Sequence, residues 1–269
     1  MILGIIQGLT EFLPISSSGH LVLGQQMFGM TEPELLLDIS LHLGTLMAVC
    51  IVFFKEIREI LWALIGLPHA LKQNGGLTNL LSGNEHYRLV LMILIGSIPT
   101  AILGLLFHSI ADKIFNSIAI VGGMLLVTGT FLWMTRNVAL KGRQIQKMNA
   151  KDAFWVGIAQ GMAILPGISR SGATISTSLF LGIDRELAGR YSFLLSIPAI
   201  VGAMMLELDS SLAASSIPPE AILMGVITAA ATGWAALIVL LRLVKRGKLY
   251  LFAPYCWLVG FAALTMSML

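Results

Sequence analysis

Charge is scarce in this sequence. Charged residues make up 12% of the 269 positions, against roughly 25% in ordinary soluble domains. That scarcity excludes a conventional water-facing surface. Cysteine is also rare: Cys50 and Cys256 are the two present, each inside an apolar run. A disulfide framework is excluded, and both read as small buried or lipid-facing side chains. No span carries a series of charged residues, which argues against an anion channel. The Met-Ile-Leu-Gly-Ile-Ile start has no basic segment and no small-residue cleavage site, so a signal peptide is not expected. The net charge of +3 is no nucleic-acid signal, because the basic residues cluster between apolar runs.

What is abundant is apolar length. Hydrophobic residues fill 57% of the chain, in runs near 36–54, 89–108, 118–135, 187–208, 220–243 and 249–269. Each approaches the ~20 residues that span a bilayer core. The basic residues give the orientation. Thirteen of the seventeen fall in three connections, 55–88, 136–152 and 242–248, which are expected on the cytoplasmic side. The loops flanked by Glu32 and Glu34, and by Glu207, Asp209 and Glu220, carry no Lys or Arg, and Lys113 stands alone on that opposite face. The five tryptophans read mostly as interface anchors.

One phrase occurs twice. Gly4–His20 reads GIIQGLTEFLPISSSGH and Gly157–Ala173 reads GIAQGMAILPGISRSGA, with eight identities over seventeen ungapped positions. Pro14 or Pro166 and Gly/Ser clusters break each copy. Proline removes a helical hydrogen bond, and freed backbone groups cannot face lipid. Each copy, near 1–29 and 153–183, therefore reads as a re-entrant pair of short helices. Three spans follow each pair. That odd number of crossings turns the second copy upside down, so 1–152 and 153–269 form inverted repeats of one integrated membrane domain. The expected fold is all-α, with six transmembrane helices and two re-entrant pairs. A polar site is expected where the repeats meet.

The two copies differ in their chemistry. Glu11 and His20 belong to the first, Arg170 to the second. The pseudo-two-fold relation makes Ser17 and Arg170 equivalent, so meeting turns would put a hydroxyl beside a fixed cation. A charge at bilayer depth is costly and functional by default, and a guanidinium fork matches two phosphate oxygens. Ser16, Ser17, Ser18 and Gly19, like Ser169, Arg170, Ser171 and Gly172, form turns opening into helices, whose free N–H groups attract anions. Thr174 is placed to add a hydrogen bond. His20 follows Ser17 by three residues and can share its helical face, as a base for the hydroxyl. Glu11, four residues after Gln7, can orient His20 or help hold a hard divalent cation. Asp38 and His42 also share a face, which reads as packing or hydrogen bonding rather than catalysis.

The phrases QGLTEFLPISSSGH and LPGISRSGAT, with DISLHLGTLMAV and YSFLLSIPAIVGA, closely resemble the bacterial undecaprenyl-diphosphate phosphatase family of the bacitracin-resistance type. The resemblance covers nearly the whole chain. It implies hydrolysis of undecaprenyl diphosphate to the monophosphate, recycling the lipid carrier of cell-wall synthesis in the bacterial plasma (inner) membrane. It also implies an active site opening towards the periplasmic face and dependence on a divalent cation, Mg or Ca. The family's motif residues fall on Glu11, Ser16, Ser17, His20, Ser169, Arg170, Ser171 and Thr174. Many members carry Glu where this chain has Gln7. One carboxylate and one amide hold a metal less strongly than two carboxylates, so the cation is expected to arrive on the diphosphate. The expected partners are a polyprenyl diphosphate lipid and the bilayer, and a homodimer is left open. The rival reading is a transporter or flippase for an anionic lipid, since inverted repeats with broken helices are transporter architecture.

Overall fold

A computed structural model describes residues 1–27, 35–73, 77–108, 117–139, 141–211 and 218–268. The expectations placed on Glu32, Glu34 and Lys113 lie outside these residues, as does the end of the first re-entrant pair. For Glu207 and Asp209 only the backbone is described. Among the described residues the structure is helical, with a single isolated bridge between Arg143 and Ile183.

The first half contains α1 (Ile2–Phe12), α2 (Ser17–Met27), α3 (Leu35–Val52), α4 (Phe54–Gln73), α5 (Leu77–Gly83), α6 (Glu85–His108) and α7 (Ile118–Met134). The second contains α8 (Ala150–Met162), α9 (Arg170–Phe180), α10 (Arg185–Ser211), α11 (Pro219–Lys245) and α12 (Ala253–Met266). Among the described residues, five stretches are long and apolar enough to cross a membrane: Glu85–Phe107, Ile118–Asn137, Arg185–Leu206, Pro219–Lys245 and Leu249–Met266. A sixth is reached if the bent pair α3 and α4 counts as one span. The chain is a multi-pass membrane protein. The helices of the repeated phrases are different. α1 and α9 have 11 residues each. At 1.5 Å per residue that is about 17 Å, short of the ~30 Å hydrocarbon core.

The expected span 36–54 is met by α3 (Leu35–Val52), but the expected loop 55–88 needs correction. The helix stops at Val52, and α4 leaves it at an angle of 85°. The segment 55–83 is then mostly helical rather than a loop. The reason is visible in α4, where Ile57, Ile60, Leu64, Leu67 and Leu71 form one apolar stripe and Lys55, Arg58 and Glu59 lie on the opposite side. An amphipathic helix settles with its apolar face in the interface rather than across the bilayer.

The halves embrace. α1 packs on α11, while α8 packs on α6, and α7 pairs with α12. Glycine permits the first two contacts. A Cβ at Gly8 would stand 2.6 Å from the Ala229 carbonyl oxygen, and one at Gly157 would collide with that of Gly96. Small residues let helix backbones approach closely in lipid. The repeated Gly-x-x-Gln-Gly spacing thus seats each short helix against the other half.

Much of the cationic end is held by its own basic residues. Arg143 makes a two-pronged pair with Asp152 (2.9 and 2.8 Å) and donates to the Leu181 carbonyl (2.6 Å). Arg88 donates to the Met148 carbonyl (3.1 and 2.7 Å), and Arg185 to that of Val138 (2.9 Å). A capping box between Asn149 and Asp152 opens α8 at the same place. These ties fix the entry of the second short helix pair.

Candidate active site

The site lies where the two turns touch. In the first turn Ser16 adopts a φ of 68°, a left-handed conformation uncommon for a non-glycine residue. This bend aims its hydroxyl across the repeat boundary, where Ser16 Oγ accepts from the Gly167 N–H (3.0 Å). Gly167 has a φ of +98° and sits against the Val121 carbonyl, so no side chain fits there. Thr128 on α7 secures the second turn, donating to the Gly167 carbonyl (2.8 Å) and accepting from the Ser169 N–H (3.1 Å). Ser171 Oγ donates to the Phe12 carbonyl at the end of α1 (2.8 Å).

This contact gathers the chemistry onto one carboxylate. Glu11 is almost fully buried. Ser17 Oγ donates to Glu11 Oε2 (2.6 Å), and Gln7 Nε2 donates to the same oxygen (3.0 Å). The other oxygen, Oε1, takes the Arg170 Nη2 in a direct ion pair. Serine and arginine, 153 positions apart, are therefore joined by one bridging carboxylate. Two buried polar atoms beside it have no protein partner among the described residues: Arg170 Nη1 and Gln7 Oε1. An unsatisfied buried group is costly, so these two atoms mark where a polar ligand would be held.

The serine and threonine hydroxyls divide differently from expectation. Ser16, Ser169, Ser171 and Thr174 were expected to face an anion. In the structure all four are buried and occupied within the protein. Ser16 Oγ holds Gly167; Ser169 Oγ caps α9 by accepting from the Gly172 N–H (3.1 Å); Thr174 Oγ1 meets Ser192. Ser18 Oγ lies 3.3 Å from Ser16 Oγ. These groups shape the turns. The Ser17, Ser18, Arg170 and Ser171 N–H groups at the two helix starts make no hydrogen bond within the described residues. The anion-attracting backbone is therefore open at both turns.

His20 is also placed differently. The expected bond between Ser17 and His20 is absent. His20 Nδ1 lies 2.8 Å from the Ser16 carbonyl, one helical turn back. A carbonyl only accepts, so Nδ1 carries the proton and Nε2 is the acceptor in the neutral ring. That acceptor is met by the Tyr255 hydroxyl at 2.7 Å. Two further residues join the site. His42 Nε2 is 3.8 Å from Glu11 Oε2, while its Nδ1 donates to the Asp38 carbonyl (2.8 Å). The Asp38/His42 spacing signalled a shared helical face, but nothing in the sequence tied it to Glu11. Tyr255, on α12, had no signal beyond being an aromatic in an apolar run.

A divalent cation would find two hard oxygens here, the Glu11 carboxylate and the unpartnered Gln7 Oε1. Among the described residues no cluster of three or more His, Cys, Asp or Glu could hold a metal. This donor set fits a cation that brings further oxygen ligands with it.

A protein from Desulfatibacillum aliphaticivorans, named undecaprenyl-diphosphatase, is 53% identical over 268 residues, covering 99% of this chain and 97% of its own length. Proteins of the same name from Desulforapulum autotrophicum and Desulfosudis oleivorans are 50% and 48% identical over 97% and 100% of this chain, and 94% and 97% of their own lengths. Residues 1–262 match the family described as Bacitracin resistance protein BacA. With its paired short helices, its shared carboxylate and these relatives over almost its whole length, the chain belongs to the BacA family.

Proposed function

We propose that this protein hydrolyses undecaprenyl diphosphate to undecaprenyl phosphate and inorganic phosphate. The observation that carries the reading is Glu11, which holds the Ser17 hydroxyl on one oxygen and the Arg170 guanidinium on the other. The relatives' shared name points the same way.

In this mechanism the polyprenyl tail stays among the membrane helices and the diphosphate enters between the turns. Arg170 Nη1 and the open N–H groups at the starts of α2 and α9 bind the phosphate oxygens. Phosphoryl transfer is mainly a matter of positioning and charge stabilisation, so these groups carry most of the rate. A phosphate that draws Arg170 towards itself frees Glu11 to take the Ser17 proton. Ser17 Oγ then attacks the terminal phosphorus, and the bond to the bridging oxygen breaks. Undecaprenyl phosphate leaves with that electron pair. Water attacks the resulting phosphoserine, giving its proton to His42 Nε2, while Glu11 returns the first proton to the departing Ser17 Oγ, and inorganic phosphate departs. His20, tied between Ser16 and Tyr255, fixes the first turn and offers Nε2 for proton exchange when Tyr255 turns away.

A Mg2+ or Ca2+ ion would be held by Glu11 and Gln7 together with the diphosphate, and it supplies neutralising charge to the phosphates. The exchanged packing of α1 and α8 supports two inverted repeats, 1–152 and 153–269. The basic connections support a plasma-membrane protein whose site opens on the outer face.

The test is direct. Purified protein in detergent releases inorganic phosphate from a polyprenyl diphosphate. A transporter of anionic lipid would move lipid without making this product, and its transport would survive Ser17→Ala.

A further inference from the structure

Away from the site, α4 and the start of α6 flank an open surface cleft of about 350 Å³ lined by Arg58, Glu59, Trp62, Asn84, His86 and Tyr87. None of these residues takes part in the phosphatase machinery. α4 lies at 85° to the preceding helix. Trp62 and Ile65 are 66% and 71% exposed, and Leu61 53%, an apolar face that suits lipid.

The polar content of the cleft is specific. The Arg58 guanidinium has no hydrogen bond or ion pair among the described residues. Beside it, Glu59 Oε2 lies 3.4 Å from His86 Nδ1. Asn84 Oδ1 accepts from the His86 N–H (2.9 Å), which fixes this wall. Among the described residues the cleft therefore presents a free guanidinium, a carboxylate and two aromatic faces side by side. That pattern is complementary to a zwitterion.

We propose that the cleft binds the headgroup of a phospholipid carrying both a phosphate and a primary ammonium, of the phosphatidylethanolamine type. Arg58 takes the phosphate as a fork. Glu59 accepts from the ammonium, whose charge also lies against Trp62 and Tyr87. The acyl chains run down the exposed apolar face of α4. A phosphatidylglycerol headgroup brings only negative charge and meets Glu59 unfavourably. A choline headgroup has no N–H to give the carboxylate. The bound lipid would pin α4 to the interface and brace the bend after α3, the helix that presents His42 to Glu11.

The experiment uses the full-length protein in detergent, titrated with chain-matched phosphatidylethanolamine, phosphatidylglycerol and phosphatidylcholine and read by native mass spectrometry. Phosphatidylethanolamine is retained preferentially, and Arg58→Ala weakens its retention about ten-fold, the loss expected for a charge-assisted bond. Glu59→Gln abolishes the preference, bringing phosphatidylethanolamine down to the level of phosphatidylglycerol. An unchanged unfolding temperature shows that each variant is folded. Equal retention of phosphatidylethanolamine and phosphatidylglycerol by the unaltered protein overturns the proposal whatever the variants do. So does full retention by folded Arg58→Ala. Neither result bears on phosphate release, which is measured separately.

Discussion

Replacing Arg170 by lysine separates charge from geometry. Arg170 uses Nη2 to hold Glu11 and keeps Nη1 for a ligand. A lysine ammonium is one point of charge. It can neutralise Glu11 or meet a phosphate oxygen, but it cannot bridge them as a planar fork does. Losing one positioned donor to developing charge costs about 2.7–4 kcal/mol, or roughly 10²–10³ in rate. Arg170→Lys is therefore expected to lower kcat by about that factor while the protein keeps its stability, because Glu11 remains paired. Arg170→Ala differs. It strands a carboxylate whose side chain is 5% exposed, and breaking a buried pair by removing one partner costs about 3–5 kcal/mol. Both turnover and thermal stability should fall. Adding Glu11→Gln to Arg170→Ala should restore stability and leave activity absent. The assay is phosphate release from undecaprenyl diphosphate in detergent, with membrane insertion and unfolding temperature measured on the same preparations. Near-normal turnover by correctly inserted Arg170→Lys would refute the bridging argument.

Ser17→Ala should abolish trapping of a labelled phosphoenzyme in acid-quenched reactions; a labelled adduct in that variant would move the nucleophile elsewhere. Gly167→Ala forces a side chain into a left-handed turn pressed on the Val121 carbonyl. It should cost about 1–3 kcal/mol and separate the turns, read as a lower unfolding temperature together with lost activity. Gln7→Glu puts a second carboxylate beside Glu11 and should lower the divalent-cation concentration for half-maximal turnover about ten-fold. No change in that concentration would remove Gln7 from the cation's surroundings.

The repeated phrase carried most of what can be read without coordinates. A proline-broken segment among apolar runs must bury its free backbone groups in protein, and two such segments in opposite halves have each other as partners. The contact from Gly167 to Ser16 realises that expectation. The roles of the hydroxyls were less legible. A serine near a turn can bind a ligand or cap its own helix, and both need the same residue at the same spacing. Ser169 and Ser171 took the structural role because the Gly172 N–H and the Phe12 carbonyl lay within reach. His20 misled for a related reason. Helical spacing puts it near Ser17, but the same helix offers the Ser16 carbonyl one turn back, which holds the ring first.

By itself the sequence determined the membrane class, the two polar turns and the separation of Glu11 and His20 from Arg170, because hydrophobic length, proline and buried charge act locally and irrespective of partners. It also placed Ser17 opposite Arg170, since a repeat implies equivalence. Only the tertiary structure decided that one carboxylate would join them, that His42 and Tyr255 would stand at the site, and that α4 would bend sharply away from α3. Those outcomes depend on which atoms meet within hydrogen-bond range, and packing between distant helices sets that distance, not spacing along the chain.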